Sequence, residues 1–314
     1  MTRYLARRLA LAVVIVSVAM AILFSAVHLV PGDPASVALG PRATPEMREE
    51  FRVRMGLDRP LPVQFLRFAG NVLRGDLGTD IWSRQSVASL VWRALPSTVA
   101  LTALGLGWAI LVGIPLGCFS AAHRGSWLDR AAGVLSVSAI ALPSFIVAIY
   151  ALLVFAVWLK WFPAIGAGRP GDLGNQLWHL VLPSFAIGLG WVGFLARLVR
   201  ASMVEVLGEN HIRAARALGL PERRIVYRYA LRLAILPTVA LLGVGIGRLL
   251  SGAVFAEIVF ARPGLGRLVY DGVISRNYPV VMGAVLVTTV LFVLSTLAAD
   301  LAVAALDPRV RERL

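Results

Sequence analysis

The sequence has few of the residues on which enzyme and metal sites are usually built. It contains one cysteine, Cys118, so a disulfide bond within the chain is excluded. Its one lysine, Lys160, is followed by Trp161, which excludes the phosphate-binding loop G-x-x-x-x-G-K-[ST]. The four histidines are scattered, and their spacing gives no H-E-x-x-H pattern and no Ser-His-Asp constellation. We therefore expect neither ATP hydrolysis nor a metal site in this chain.

Charged residues are also scarce. They make up 15% of the 314 residues, whereas hydrophobic residues make up 58%. Soluble domains have about 25% charged and about 45–50% apolar residues, so this composition indicates a membrane protein. The 31 basic residues exceed the 17 acidic ones and give a net charge of +14. In a soluble chain that excess would suggest nucleic-acid binding, but here the basic residues lie beside apolar runs, where they set topology and meet lipid headgroups.

Six apolar runs are long enough to cross a bilayer, which takes about 20 residues in a helix. The first, residues 9–30, is longer than the core of a signal peptide, so we expect an uncleaved span with a cytoplasmic N-terminus. The other five are residues 97–122, 131–158, 180–199, 238–259 and 280–305. Glycines spaced four apart, at 113 and 117 and at 243 and 247, predict close packing between these helices. The expected fold is an all-α polytopic membrane protein.

These spans divide the chain into four parts. Residues 1–30 hold the cytoplasmic N-terminus and the first span, residues 31–96 an extracytoplasmic lobe of short helices, residues 97–305 the other five spans, and residues 306–314 a cytoplasmic tail. In the lobe, Thr44 and Pro45 predict the start of a helix, Gly56 its end, and residues 75–78 a turn. The basic residues of the central loop place that loop, and both chain ends, in the cytoplasm.

That central loop, residues 202–237, is the longest polar interruption in the second half of the chain. Gly219 predicts a helix end with a left-handed backbone angle, and Pro221 with Glu222 predicts the first turn of the next helix. The second helix is expected to be amphipathic, with Arg223, Arg224, Arg228 and Arg232 among apolar residues. Small residues at Ala214, Ala215 and Ala217 would let another protein approach closely. The alternative is a solvated loop held at anionic lipid by its arginines.

The segment Arg213-Ala214-Ala215, followed after three residues by Gly219, resembles the EAA loop of ABC importer permeases, which docks into a cleft of a cytoplasmic ATPase. The glutamate usual in that loop is Arg213 here, and this departure resembles the peptide-import branch. Further segments resemble the same branch along the whole chain, namely residues 31–34, 57–65, 74–78, 260–268, 276–279 and 306–309, with Gly283. The chain is similar to the first permease subunit of dipeptide and oligopeptide ABC importers.

This resemblance implies a type I ABC importer permease fold and a set of partners. A second related permease would complete the translocation pathway, two ATP-binding subunits would hold ATP and Mg²⁺, and an extracytoplasmic binding protein would select the substrate. The coupling loop, residues 202–237, would meet an ATPase through Arg213, Ala214, Ala215, Gly219, Leu220 and Pro221. The chain itself would hold no cofactor, contact no nucleic acid, and lie in lipid of the bacterial inner membrane as a non-catalytic subunit.

Other functions stay open at this point. The same branch includes importers of nickel, glutathione-like peptides and oligosaccharides. A secondary transporter acting alone would need inverted repeats and carboxylates near the middle of the membrane, and the spans hold almost no acids near their centres. A membrane scaffold without transport is disfavoured by the coupling loop and by an arginine within a span, Arg248.

Arg248 lies near the middle of the fifth predicted span. An arginine at that depth costs about 2.5–3.5 kcal/mol on insertion scales, so it should face a partner or a wet cavity. Asp300 is a possible partner, but it should lie about 10 Å away in depth. We therefore expect Arg248 to face the translocation pathway and attract an anionic group such as a peptide carboxylate. An ion pair with another subunit, or bonds to helix carbonyls, is the alternative.

Overall fold

The computed structural model describes residues 2–29, 44–55 and 58–306. Its secondary structure there is helical, apart from one antiparallel bridge between Thr79 and Ser86, so the all-α prediction is confirmed. The α-helices are α1 (Thr2–Leu29), α2 (Pro45–Met55), α3 (Leu61–Leu73), α4 (Val87–Ala122), α5 (Trp127–Ala141), α6 (Ser144–Ala151), α7 (Leu173–Trp178), α8 (Val181–Leu207), α9 (Asn210–Ala217), α10 (Glu222–Arg224), α11 (Leu231–Ala234), α12 (Leu236–Val259), α13 (Leu265–Ile274) and α14 (Tyr278–Leu306). Two π-helical segments, π1 (Leu152–Trp158) and π2 (Ile225–Ala230), continue α6 and α10.

Four of these helices, α1, α4, α8 and α14, are each long and apolar enough to cross a membrane. Two further candidates are bent pairs. Helix α5 is followed by α6 and π1 at an angle of 99°, and the segment from α10 to α11 is followed by the start of α12 at 44°. If each bent pair is one span, the described residues contain six spans, which is the predicted number.

The bend after α5 corrects the expectation of one continuous helix over residues 131–158. Leu142 has an extended backbone, with φ −79° and ψ 120°, and Pro143 precedes α6. Proline offers no N–H to the helix, and it disfavours helical geometry in the residue before it. The third span is therefore built from two helices at a steep angle.

Helix α4 begins at Val87, ten residues before the predicted start of the second span at residue 97. Its 36 residues are about 54 Å long at about 1.5 Å per residue, whereas the hydrocarbon core of a bilayer is about 30 Å thick. Its first turns, with Arg93, therefore extend beyond the membrane core. The sequence analysis assigned these turns to the lobe, which was expected to end at residue 96, whereas the helix runs through Pro96.

One compact unit contains Ser97–Pro263 and residues 294–306. Helix α8 lies at its centre, in contact with α5, α6 and α12. Glycines bring α4 against α8, because a Cβ added at Gly117 would lie 2.5 Å from the Ala196 carbonyl oxygen. A Cβ added at Gly113 would lie 2.9 Å from the Val192 carbonyl oxygen, so the predicted close packing at 113 and 117 is confirmed.

The second compact unit contains Thr2–Pro96 and Gly264–Val293. Its core joins the start of α4 to α13 and α14 through Val87, Val91, Leu265, Val280 and Ala284. Helix α1 contacts α3, and the rings of Phe24 and Phe65 lie edge to face with centroids 5.5 Å apart.

Most local predictions for the lobe are confirmed. Helix α2 begins at Pro45, and the Thr44 hydroxyl accepts a hydrogen bond from the Met47 N–H at 3.3 Å. Gly75 and Gly78 have φ of +80° and +89°, as the predicted turn requires. The predicted helix end at Gly56, residues 31–34 and the tail from residue 307 lie outside the described residues.

Candidate functional site

The coupling loop contains the predicted helix, turn and helix. Gly219 has φ +77°, its N–H donates to the Arg216 carbonyl at 2.9 Å, and the Leu220 N–H donates to the Ala215 carbonyl at 3.2 Å. This pair of hydrogen bonds is the Schellman motif, in which a residue with left-handed backbone angles ends a helix. Pro221 then precedes α10, so the prediction that Gly219 ends the first helix is confirmed.

An ion pair closes the turn. The Arg216 Nε lies 2.5 Å from Glu222 Oε1, and Nη2 donates to Oε2 at 3.4 Å. The hydrogen bond with Glu222 raises the pKa of the Arg216 guanidinium. Both side chains are exposed, so the pair contributes on the order of 1 kcal/mol at most; it links α9 to α10 across the turn.

The inner face of the loop packs against the ends of two spanning helices. Ile212 and Ala215 of α9 belong to the same buried cluster as Cys118 of α4 and Val199 and Met203 of α8. The cluster also contains Ile225, Val226, Ala230 and Ala234 from the second arm of the loop. A force on the loop is therefore transmitted to α4 and α8 through close-packed side chains.

Ala215 corrects one expectation about the docking surface. It is buried in this cluster, so it supports the loop from within and does not offer a contact to another protein. Its neighbours Ala214 and Ala217 are exposed, as expected. The difference arises because residues three apart on a helix, here Ile212 and Ala215, face the same side.

The outer face of the turn presents an apolar side chain, Leu218, close in sequence to basic residues. Leu218 is 82% exposed. It lies among exposed Arg213, Gly219 and Pro221, whereas Leu220 is half-buried. The arginines of the second arm, Arg223, Arg224, Arg228 and Arg232, are all exposed, which confirms its predicted amphipathic character. Sequence reasoning missed Leu218, although its place just before the turn glycine could have indicated it.

A buried carboxylate connects the helices beneath the loop. Asp129, 5% exposed, accepts hydrogen bonds from Arg200 Nε at 2.6 Å and Nη2 at 2.7 Å, from the Gly125 N–H at 3.0 Å and from the Ser120 hydroxyl. These bonds join the end of α4, the α4–α5 turn, α5 and α8. The acceptor and its main donor are 71 residues apart in sequence, so no local pattern predicted the pair.

Arg248 is exposed on α12 and lines a pocket of about 190 Å³. The pocket lies at the break between α5 and α6, where Leu142 and Ser144 contribute to it, and α8 supplies Trp191 and Phe194. Within the part of the chain that the structure describes, no ion pair joins Arg248 to Asp300. Ser144, at the start of α6, lines the same pocket, and the positive end of the helix dipole adds positive potential there.

A second buried polar cluster fastens the loop after α12. The Thr98 hydroxyl donates to Glu257 at 2.6 Å, and Arg262, 3% exposed, donates to the carbonyl oxygens of Gly166 and His179 at 3.3 Å each. Burial lowers the pKa of Arg262, and the charge of Glu257 opposes that shift. These bonds connect α4 to the end of α12, and they connect the loop after α12 to the loop before α7 and to the end of α7.

Residues 113–312 match the family described as "Binding-protein-dependent transport system inner membrane component". Residues 1–102 match its companion, described as "Binding-prot-dependent transport system membrane comp, N-term". The chain belongs to the binding-protein-dependent transport system inner membrane component family. It is thus a multi-pass permease subunit of an ABC importer, as the coupling loop indicated.

Curated relatives of this permease support the assignment along its whole length. The "Glutathione transport system permease protein GsiC" of Pectobacterium atrosepticum is 38% identical over 312 residues, covering 99% of each chain. The protein of the same name from Salmonella paratyphi A is 37% identical over 311 residues, with the same coverage. The inward-facing MetNI methionine ABC transporter matches with a TM-score of 0.58 and 22% identity, over 69% of this chain and 96% of that one, and it shares the permease fold.

Proposed function

We propose that this permease carries di- or oligopeptides, including glutathione-like peptides, inward across the bacterial inner membrane. It does so with a second related permease, two ATP-binding subunits that bind ATP and Mg²⁺, and an extracytoplasmic binding protein that delivers the substrate. The chain itself is non-catalytic, and both of its ends are cytoplasmic. The observation that carries this proposal is the coupling loop, which is braced from within and presents Leu218 on its outer side.

The loop converts movement of a docked ATPase into movement of helices. Leu218 enters an apolar depression of the ATPase, and the surrounding arginines meet acidic side chains at its rim. When the ATPases close on ATP, the Arg216–Glu222 pair keeps α9 and α10 at a fixed angle. The displacement therefore reaches α4 and α8 through the buried cluster and does not dissipate within the loop.

Peptide carboxylates fit the membrane-embedded arginine. The relatives are named for transport of glutathione, a peptide with free carboxylates. In a water-filled cavity with a partly apolar lining, Arg248 and the first turn of α6 attract an anionic group, as half-helix ends do in other transporters. Arg248 thereby draws a released peptide into the pathway, and Trp191 and Phe194 accept apolar parts of it.

Cysteine labelling tests the docking of the coupling loop. Cys118 is buried, and its replacement by alanine leaves a chain without thiols, into which Leu218→Cys is introduced. In the Leu218→Cys variant, we expect a maleimide to react with the introduced thiol at least tenfold more slowly in the complete importer than in the permease pair without ATPases, because a docked ATPase covers position 218. The control, Leu173→Cys in the exposed first turn of α7, should be labelled equally in both. Equal labelling at position 218 would refute the proposal.

Peptide uptake tests the role of Arg248. Arg248→Ala should reduce uptake into proteoliposomes about tenfold or more, whereas Arg248→Lys should retain most of it because the charge remains. The four types of subunit should still purify together from both variants. Uptake by Arg248→Ala equal to that of the unmodified importer would remove Arg248 from the pathway.

A further inference from the structure

Two exposed arginines occupy backbone conformations that suit glycine. Arg84 has φ +61° and Arg276 has φ +52°. A side chain in this left-handed region crowds its own backbone, so non-glycine residues are uncommon there. Of the four non-glycine residues with positive φ in the described chain, three are basic, the third being Lys160 and the fourth Ala261.

The chain uses glycine elsewhere in the same structural position. After α13, the Arg276 N–H donates to Val273 at 3.1 Å and the Asn277 N–H to Gly272 at 2.7 Å, which is a Schellman motif with arginine at its left-handed position. The motifs after α3 and α9 have Gly75 and Gly219 at that position. At residue 276 the turn therefore keeps an arginine side chain at the expense of backbone strain, which is typical of a functional position.

The two loops that carry these arginines are joined to each other. The Trp82 indole Nε1 donates to the Ser275 carbonyl at 3.3 Å, and the buried Asn277 donates to the Asp80 carboxylate. Burial alone would raise the pKa of Asp80, but hydrogen bonds from Ser83, the Trp82 N–H and Asn277 outweigh it and lower that pKa. The carboxylate therefore stays charged, and the loops before α4 and after α13 form one rigid platform.

The platform carries three exposed side chains. Arg84 and Arg276 are exposed, and neither guanidinium has an ion-pair partner among the described residues. Trp82 is 58% exposed, although its indole N–H is held. Tryptophan and arginine dominate the energy of many protein interfaces, and holding them in place beforehand lowers the entropy lost on binding.

We propose that Trp82, Arg84 and Arg276 form a docking surface for an acidic patch on the extracytoplasmic substrate-binding protein. This inference rests on the proposed function, which places the coupling loop in the cytoplasm. The end of α4, at Cys118, packs with the coupling loop, whereas the loop with Arg84 precedes the start of the same membrane-crossing helix. Opposite ends of a spanning helix face opposite sides of the membrane, so this surface faces the binding protein.

Substitution by glycine distinguishes an effect on docking of the binding protein from an effect on folding. Arg84→Gly and Arg276→Gly remove a charge and also the backbone strain, so the Tm of the assembled importer should stay the same or rise. Docking of the purified binding protein to the importer in nanodiscs should weaken about tenfold for each variant, and the salt dependence of docking should decrease. Lys160→Gly is the matched control, because it removes the same strain and charge outside the proposed surface, and its docking should be unchanged.

Three results would overturn this inference. The first is unchanged docking by both arginine variants, the second is an equal loss with Lys160→Gly, and the third is a lower Tm, which would show that the arginines serve the fold. In each case slow maleimide labelling at position 218 would leave the proposed function intact. Failure of the binding protein to dock to the unmodified importer would instead refute the proposed function itself.

Discussion

Replacement of Asp129 by asparagine tests whether the helices beneath the coupling loop depend on one buried charge. Asparagine has the same shape as aspartate but carries no charge. Arg200 donates to both carboxylate oxygens of Asp129, so in either orientation the amide turns an N–H donor towards an Arg200 N–H that needs an acceptor. The substitution therefore leaves Arg200 without its counter-ion and at least one donor without a partner.

The expected loss of stability follows from the geometry. Removing one member of a buried ion pair costs about 3–5 kcal/mol. Arg200 is 36% exposed and can recover some contact with water, so the lower value of about 3 kcal/mol applies. Unfolding entropy is about 2.1 cal/mol/K per residue, so in a chain of 314 residues a loss of about 3 kcal/mol lowers Tm by about 4–5 °C.

Thermal unfolding of the purified importer in detergent, followed by tryptophan fluorescence, measures this change. Asp172→Asn is the control. Asp172 caps α7, where its carboxylate accepts from the Asn175 N–H at 3.0 Å, and asparagine caps helices equally well. Its Tm should move by less than about 1 °C. An equally small change for Asp129→Asn would show that the reasoning about the buried pair is wrong.

Three further predictions concern the coupling loop and its support. The double substitution Arg216→Glu with Glu222→Arg should retain most peptide-stimulated ATPase activity, because the ion pair is restored with its charges exchanged. Each single substitution should lose at least half of that activity. Equal activity in the double variant and both single variants would show that the pair has no role. Gly219→Ala should cost about 1–2 kcal/mol of stability and also reduce the peptide-stimulated ATPase activity. Gly125 has a similar φ, +83°, and a Cβ added there would also meet no atom within 4 Å, so Gly125→Ala should lower stability and leave that activity unchanged. Gly117→Val should lower Tm because its Cβ would collide with α8, and an unchanged Tm would contradict the close contact.

The preferences of neighbouring residues for turns and helices predicted the structure correctly wherever only a few adjacent residues determine it. The turn at Gly219 follows from its missing side chain, and the amphipathic arm after it follows from the spacing of its arginines. The same preferences failed at Pro96 and Pro143, which look alike in sequence. A helix runs through the first proline and breaks at the second, because neighbouring helices decide whether the lost hydrogen bond can be tolerated.

The sequence by itself determined that this chain is an all-α membrane protein with several spans and a polar, basic loop that resembles a known coupling element. Hydrophobicity and backbone preferences act along the chain, so they can be read from it. Only the tertiary structure decided that Ala215 faces inward while Leu218 faces outward, that Asp129 pairs with Arg200, and that strained Arg84 and Arg276 share one platform. Those features depend on which distant segments meet, and burial and pairing between distant residues leave no local pattern in a single sequence.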